Sequence, residues 1–198
     1  MNIWITADTH YWHSKIIKYT NRPFKHIEDM NIELIENYNQ LVKPNDIVYH
    51  LGDFALCGKN FRMRILEQLN GKIHLIRGSH DNSIKNDEGF VEICDYKQIK
   101  FNRYKFVLFH WPIANWQNRY YGSIHLYGHS HGKYQMGGRC LDVGVDNNNF
   151  QPWHIEEIIE MMRNIDYKVN TPRRKHRGIY PETGRDCIPN LKMFREAL

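Results

Sequence analysis

Short apolar runs closed by glycine or a charged residue, with helical spacing between them, organise the first half of the chain. In NIWITAD (2–8) Ile3, Ile5 and Ala7 alternate against Trp4 and Thr6, which predicts a buried strand. From Ile27 to Val42 the positions Ile27, Met30, Leu34, Ile35, Tyr38, Leu41 and Val42 recur at helical intervals, and Pro44 ends the pattern. DIVYHLGD (46–53) predicts a second strand, a helix follows around Lys59 to Leu69 and stops at Asn70-Gly71, and IHLIRG (73–78) predicts a third strand. Strand, helix, strand, helix, strand is the order of a layered α/β fold with a parallel start.

After residue 90 the texture turns β-rich. VEICDYKQIKF and RYKFVLFH flank a turn at Asn102-Arg103, and SIHLYGH (123–129) and GRCLDVGV (138–145) predict two more strands, together a second sheet of mixed direction. An amphipathic helix over Ile155 to Met162 follows Pro152. The pattern fades near Asn164, so the expected division is a domain over 1–163 and a basic extension over 164–198.

A chain of 198 residues is long enough for one well-buried core. No apolar run approaches the ~20 residues that span a bilayer, and MNIWITAD lacks the basic start of a secretory signal. Cys57, Cys94, Cys140 and Cys187 show no C-x-x-C spacing and read as buried, reduced thiols, so a cytoplasmic location without membrane contact is expected. The net charge of +5 is uneven: from Asp166 to Leu198 eight basic residues face four acidic ones, placing +4 there. Such an end either engages a nucleic acid through its phosphates or caps and solubilises the domain.

Metal-capable residues fall repeatedly where the predicted strands end, which is where open α/β sheets carry their reactive groups. Asp8 and His10 follow the first strand, Gly52-Asp53 the second and Gly78-Ser79-His80-Asp81 the third. His110 closes VLFH, and Gly128-His129-Ser130-His131 closes SIHLY. Each piece alone is common; five at successive strand ends are not a chance pattern. A pair of divalent ions held about 3.5 to 4 Å apart can activate a hydroxide and polarise a phosphoryl group, given a bridging carboxylate and flanking ligands.

In these motifs, D-x-H, G-D, G-x-H-D, H and G-H-x-H, the chain resembles the calcineurin-like metallophosphoesterases. DTHYWHSKII, VYHLGDF and LDVGVDNNNFQP resemble the small bacterial and phage form, and the likeness covers roughly residues 1 to 163. It implies a four-layer α/β/β/α sandwich of two mixed sheets flanked by helices. It further implies two divalent ions, with Asp53 as bridge, Asp8, His10 and His131 completing the first site, and Ser79, His110 and His129 facing the second. Mixed imidazole and carboxylate ligands suit Mn, Fe, Zn or Ni, manganese foremost, and the absence of thiolates speaks against a structural zinc site. The implied reaction is hydrolysis of a phosphomonoester or phosphodiester by a metal-bridging hydroxide, with His80 assisting the leaving group and Asp81 orienting its ring.

The family usually carries Asn where Ser79 stands. A hydroxyl is a shorter and weaker ligand than an amide carbonyl, so the second metal site is expected to be weakened, whether by an introduced substitution, a natural variation bridged by water or a drift towards a non-catalytic protein. Arg77 is a candidate phosphate contact or half of a structural ion pair. Tyr11, Trp12 and Trp116 are candidates for stacking on a nucleotide-like substrate, with core packing as the alternative. His13 offers either a substrate contact or a bond at a helix start. The rival functions are a nuclease of the same mechanism and a protein that holds a phosphorylated ligand without cleaving it.

Overall fold

The computed structural model of the chain describes residues 1–85, 89–134 and 136–167. β1 (Ile3–Thr6), β2 (Ile47–His50), β3 (Lys72–Ile76) and β4 (Glu92–Cys94) pair in parallel in one sheet. β5 (Lys97–Phe101), β6 (Tyr104–Leu108), β7 (Ile124–Tyr127) and β8 (Cys140–Asp142) form the second. There β5 and β6 are antiparallel around the Asn102-Arg103 turn, and the rest are parallel. β9 (Trp153–His154) returns to the first sheet, antiparallel at the free edge of β1.

The period of two in the strands sends neighbouring side chains to two different cores. Trp4, Val48 and Leu75 face the helices α1 (Ser14–Tyr19), α2 (Ile27–Leu41) and α3 (Lys59–Leu66), where Ile16, Met30, Leu34, Tyr38 and Ile65 cover them. Their neighbours Ile5, Tyr49 and Ile76 face the second sheet and meet Phe106, Leu108, Ile124 and Leu126. α4 (Ile155–Arg163) adds Ile155, Ile158, Ile159 and Met162 to this inter-sheet core. Each fully buried side chain of this kind contributes about 1.5–3 kcal/mol. The result is the sandwich of two mixed sheets flanked by helices that the resemblance implies, except that VEICDYKQIKF does not belong wholly to the second sheet: it breaks after Cys94, β4 joining the first sheet and β5 the second.

Two departures bear on the site. The strands end earlier than their apolar runs: β1 stops at Thr6 and β2 at His50, so Asp8 and Asp53 stand in loops. α1 is absent from the sequence expectation because six residues with one buried apolar position show no measurable period. Residues 168–198, most of the expected extension, lie outside the described residues.

Candidate metal centre

The loops after β1, β2, β3, β6 and β7 meet at one end of the two sheets. They are laced by main-chain bonds: Asp8 N–H donates to Gly52 O at 2.9 Å, His10 N–H to Asp53 O at 3.0 Å, and Gly128 N–H to His110 O at 2.9 Å. Asp8 accepts the His129 N–H on both carboxylate oxygens, at 3.0 and 2.9 Å. Asp8, His10, Asp53, His129 and His131 all have positive φ, between 48° and 67°. Left-handed backbone costs such residues about 1–2 kcal/mol each, and the surrounding bonds hold it in place. Two glycines permit the crowding. A Cβ on Gly78 would overlap the Asp53 main chain and carboxylate, and one on Gly128 would lie 2.6 Å from Asp8 Oδ2.

Two ligand sets result: Asp8, His10 and His131, and Asp53, His110 and His129, each with donor atoms within 4.8 Å of one another. Asp53 joins them. His10 Nε2 and His110 Nε2 lie 3.6 and 3.5 Å from the same oxygen, Asp53 Oδ2. Both nitrogens are buried without a hydrogen-bond partner. Buried polar atoms are rarely left so, because the lost hydration costs about 1–3 kcal/mol. Two orphans close to one carboxylate oxygen, each from a different ligand group, fit a pair of cations sharing that carboxylate.

The outer partners set the tautomers. His110 Nδ1–H donates to Leu51 O at 2.7 Å, and His131 Nδ1–H to Asp146 Oδ2 at 2.7 Å, which leaves each Nε2 free as a ligand. Arg22 grips Asp146 with two bonds of 2.8 Å and donates to the Asp8 and Thr9 carbonyls at 2.7 and 3.0 Å. Arg22 and Asp146 are supporting residues that the sequence reasoning missed, since they are distant in the chain; Asp146 lies within LDVGVDNNNFQP, but nothing local pairs it with Arg22 or His131.

Burial pushes the Asp8 carboxyl up to about 7, although His131 and His110 pull it down. Burial acts the same way on Asp53, but the His110 side chain, the His80 N–H and His10 outweigh it and hold Asp53 below the ordinary carboxylate range. Burial lowers His10 to about 2 despite Asp53. For His131, burial is overcome by Asp146 and Asp8, which raise it. Asp53 is therefore held as a carboxylate and His10 as a bare imidazole, whereas Asp8 and His131 would each give up a proton to a bound cation.

Above it opens a cavity of about 640 Å³, lined by residues including Trp12, Ile16, Leu56, Ser79, His80 and Lys133. His80 is exposed there, and its N–H donates to Asp53 Oδ1 at 2.9 Å. Ser79 is likewise exposed in the cavity. Of the other candidates, Asp81 is corrected as a partner of His80, and Tyr11, Trp116 and Arg77 are corrected as substrate contacts in favour of the structural alternatives left open for them. Asp81 does not orient the His80 ring; its carboxylate accepts the N–H groups of Asp53, Phe54 and Gly78 at 2.7, 3.0 and 2.8 Å and so ties two ligand loops together. Tyr11 is buried against Phe54, because its loop pairs with Ala55 and turns the ring inward. Trp116 is buried outside the cavity, with its Nε1–H on Ser123 O at 3.3 Å. Arg77 forms an ion pair with Asp95 at 3.1 Å, also outside the cavity. The cysteine expectation shifts too: Cys57, Cys94 and Cys140 form no disulfide among the described residues but are only half-buried.

Comparison with known proteins agrees with this fold. The calcineurin-like phosphoesterase superfamily domain matches residues 1–140. An uncharacterized protein of Methanocaldococcus jannaschii is 36% identical over 169 residues, 81% of this chain and 90% of its own. The crystal structure of a protein of unknown function from Aquifex aeolicus superposes with a TM-score of 0.66 at 28% identity, covering 81% of this chain and 98% of that one.

Proposed function

We propose a nucleotide-like phosphomonoester or phosphodiester as the substrate of this chain, which belongs to the calcineurin-like phosphoesterase superfamily and is a metal-dependent phosphoesterase. The observation that carries the reading is the pair of orphaned nitrogens, His10 Nε2 and His110 Nε2, both within 3.6 Å of Asp53 Oδ2, where His10 and Asp53 line an open cavity. Asp8, His10, Asp53 and His131 would hold one divalent ion, and Asp53, His110, His129 and Ser79 the other. When bound, the two ions lower the pKa of water and polarise the phosphoryl oxygens. Manganese is the first choice for this imidazole and carboxylate set.

The cavity supports the rest. Trp12, Ile16 and Leu56 give an apolar wall on which a base or aryl group can lie, and Lys15 and Lys133 supply positive charge. His80, on the cavity side of Asp53, donates a proton or a hydrogen bond to the departing oxygen. Among the described residues no helix is long and apolar enough to cross a membrane. Cys57, Cys94 and Cys140, which form no disulfide among the described residues, support a cytoplasmic location.

The test is a metal titration of chelator-treated protein with nitrophenyl phosphate, bis-nitrophenyl phosphate, nucleotide esters and a single-stranded oligonucleotide. Turnover that depends on added metal, with nucleotide esters preferred, is the expected result. Trp12→Ala should weaken that preference by ~5- to 150-fold, the equivalent of ~1–3 kcal/mol of base stacking. Preference for the oligonucleotide would move the reading to a nuclease aided by the basic extension. Metal binding without turnover of any ester would make the chain a holder of phosphorylated ligands.

A further inference from the structure

His13 stands outside both ligand sets, yet its ring connects one of them to the cavity. His13 Nδ1 lies 3.1 Å from His10 Nδ1, and the ring packs edge-on against His80 with centroids 5.4 Å apart. The ring does not cap α1: His13 occupies the N-cap position without a side-chain bond to the helix. Only its Nδ1 has a hydrogen-bond partner among the described residues, and Nε2 is not among the buried unpartnered atoms, so Nε2 opens into the cavity that the ring lines.

The tautomers follow from the metal centre. His10 offers Nε2 to the ion, being orphaned and aimed at Asp53, and a neutral imidazole that gives one nitrogen to a metal keeps its proton on the other. His10 Nδ1–H therefore donates to His13 Nδ1, which must be bare. His13 in turn carries its proton on Nε2. We propose that His13 works on two sides, its Nδ1 positioning His10 for the metal and its Nε2–H donating to a phosphoryl oxygen of the bound ester beside His80. The inference rests on the phosphoesterase reading above for its second half only, since the first concerns metal affinity alone. A third ion held by His10, His13 and His80, whose nitrogens also lie within 4.8 Å of one another, would need a bare His10 Nδ1 and so a doubly metallated ring.

Two substitutions separate the two sides. His13→Asn keeps an acceptor at the δ position and removes the ε donor, whereas His13→Gln keeps a donor near ε and removes the δ acceptor. Manganese affinity is measured by equilibrium dialysis without substrate, and kcat and KM on nitrophenyl phosphate at saturating metal. His13→Gln should lose ~10- to 100-fold in metal affinity. His13→Asn should hold metal within a few-fold of the wild type but lose ~10- to 150-fold in kcat/KM, the equivalent of a hydrogen bond to a charged group. Identical behaviour of the two variants in both measurements overturns the proposal. Nitrogen NMR of the zinc-loaded wild type decides without any variant: a protonated Nε2 and bare Nδ1 on His13 are expected, and the opposite tautomer, or a third equivalent of zinc on this ring, refutes the assignment. If the tautomer and affinities hold but no ester is turned over, the phosphoesterase reading fails while the positioning of His10 stands.

Discussion

Asp8 offers a test in which stability and metal binding move in opposite directions. Its carboxyl is fully buried and pushed from 3.8 up to about 7 by loss of hydration. Because the folded value is the raised one, the metal-free protein keeps its full stability only below the unfolded carboxylate value and loses it as pH rises through about 7. At roughly 1.4 kcal/mol per decade the whole loss is about 4 kcal/mol, reached near pH 8, of which a little under half is already present at pH 5. Asp8→Asn removes the ionisation but not the shape. It also surrenders one of the two oxygens that accept the His129 N–H, at about 1–2 kcal/mol. The metal-free variant should therefore match the wild type near pH 5 and exceed it by about 2 kcal/mol at pH 8 in denaturant unfolding with chelator present. Its metal affinity should collapse, because a neutral amide replaces an anionic ligand. In the wild type, affinity at the first site should rise at least tenfold per pH unit below 7, as Asp8 and, where protonated, His131 give up a proton to the ion. A metal-free variant no more stable than the wild type at pH 8, or a difference that does not grow with pH, would refute the reasoning.

Ser79→Asn should tighten the second metal and raise turnover at limiting manganese, with the gain shrinking in excess metal as mass action refills the site; equal metal content and rate at every concentration would remove Ser79 from the ligand set. Gly78→Ala should abolish metal binding and lower the unfolding midpoint, since its Cβ would overlap the Asp53 main chain; a fully active variant would show that the two loops can separate. His80→Ala should slow esters with poor leaving groups by ~10²- to 10⁴-fold yet spare nitrophenyl esters and metal content, and equal losses on both classes would argue against proton donation. Deleting residues after 167 should weaken and flatten the salt dependence of any oligonucleotide binding, and unchanged binding would leave the extension outside recognition.

The ligands are legible in the sequence because two independent constraints coincide at them. Strand periodicity marks where each run ends, and the D-x-H, G-D, G-x-H-D and G-H-x-H motifs stand at those ends. What stays hidden is anything decided by a side chain's direction once the strand has stopped. Tyr11 follows a ligand and reads as a substrate platform, yet the bridge to Ala55 carries the loop one residue further and turns the ring into the core. Trp12, its neighbour, points the other way and lines the cavity. Asp81 reads as a partner for the adjacent His80, yet three converging N–H groups claim both its oxygens. α1 is too short to show a period, so the sequence gives no sign that it brings Ile16 to the cavity wall.

Arg22 and Asp146 mark the deeper limit. Their pairing closes across 124 residues and exists only because the loop after β1 and the short turn after β8 fold onto each other, with Val145 N–H on Ala7 O at 3.0 Å. No local pattern encodes such a contact, although it sets the tautomer of a ligand that the motifs do reveal. The sequence thus shows which atoms can bind the metals, whereas the fold decides which nitrogen of each ring is offered. That choice runs outward from the Asp53 carboxylate through His110 to Leu51 O, through His131 to Asp146 and Arg22, and through His10 to His13. Each chain ends on a group that can only accept or only donate, except the last, which ends in the cavity. His13 is therefore the place where the proton order imposed by the metals reaches the substrate.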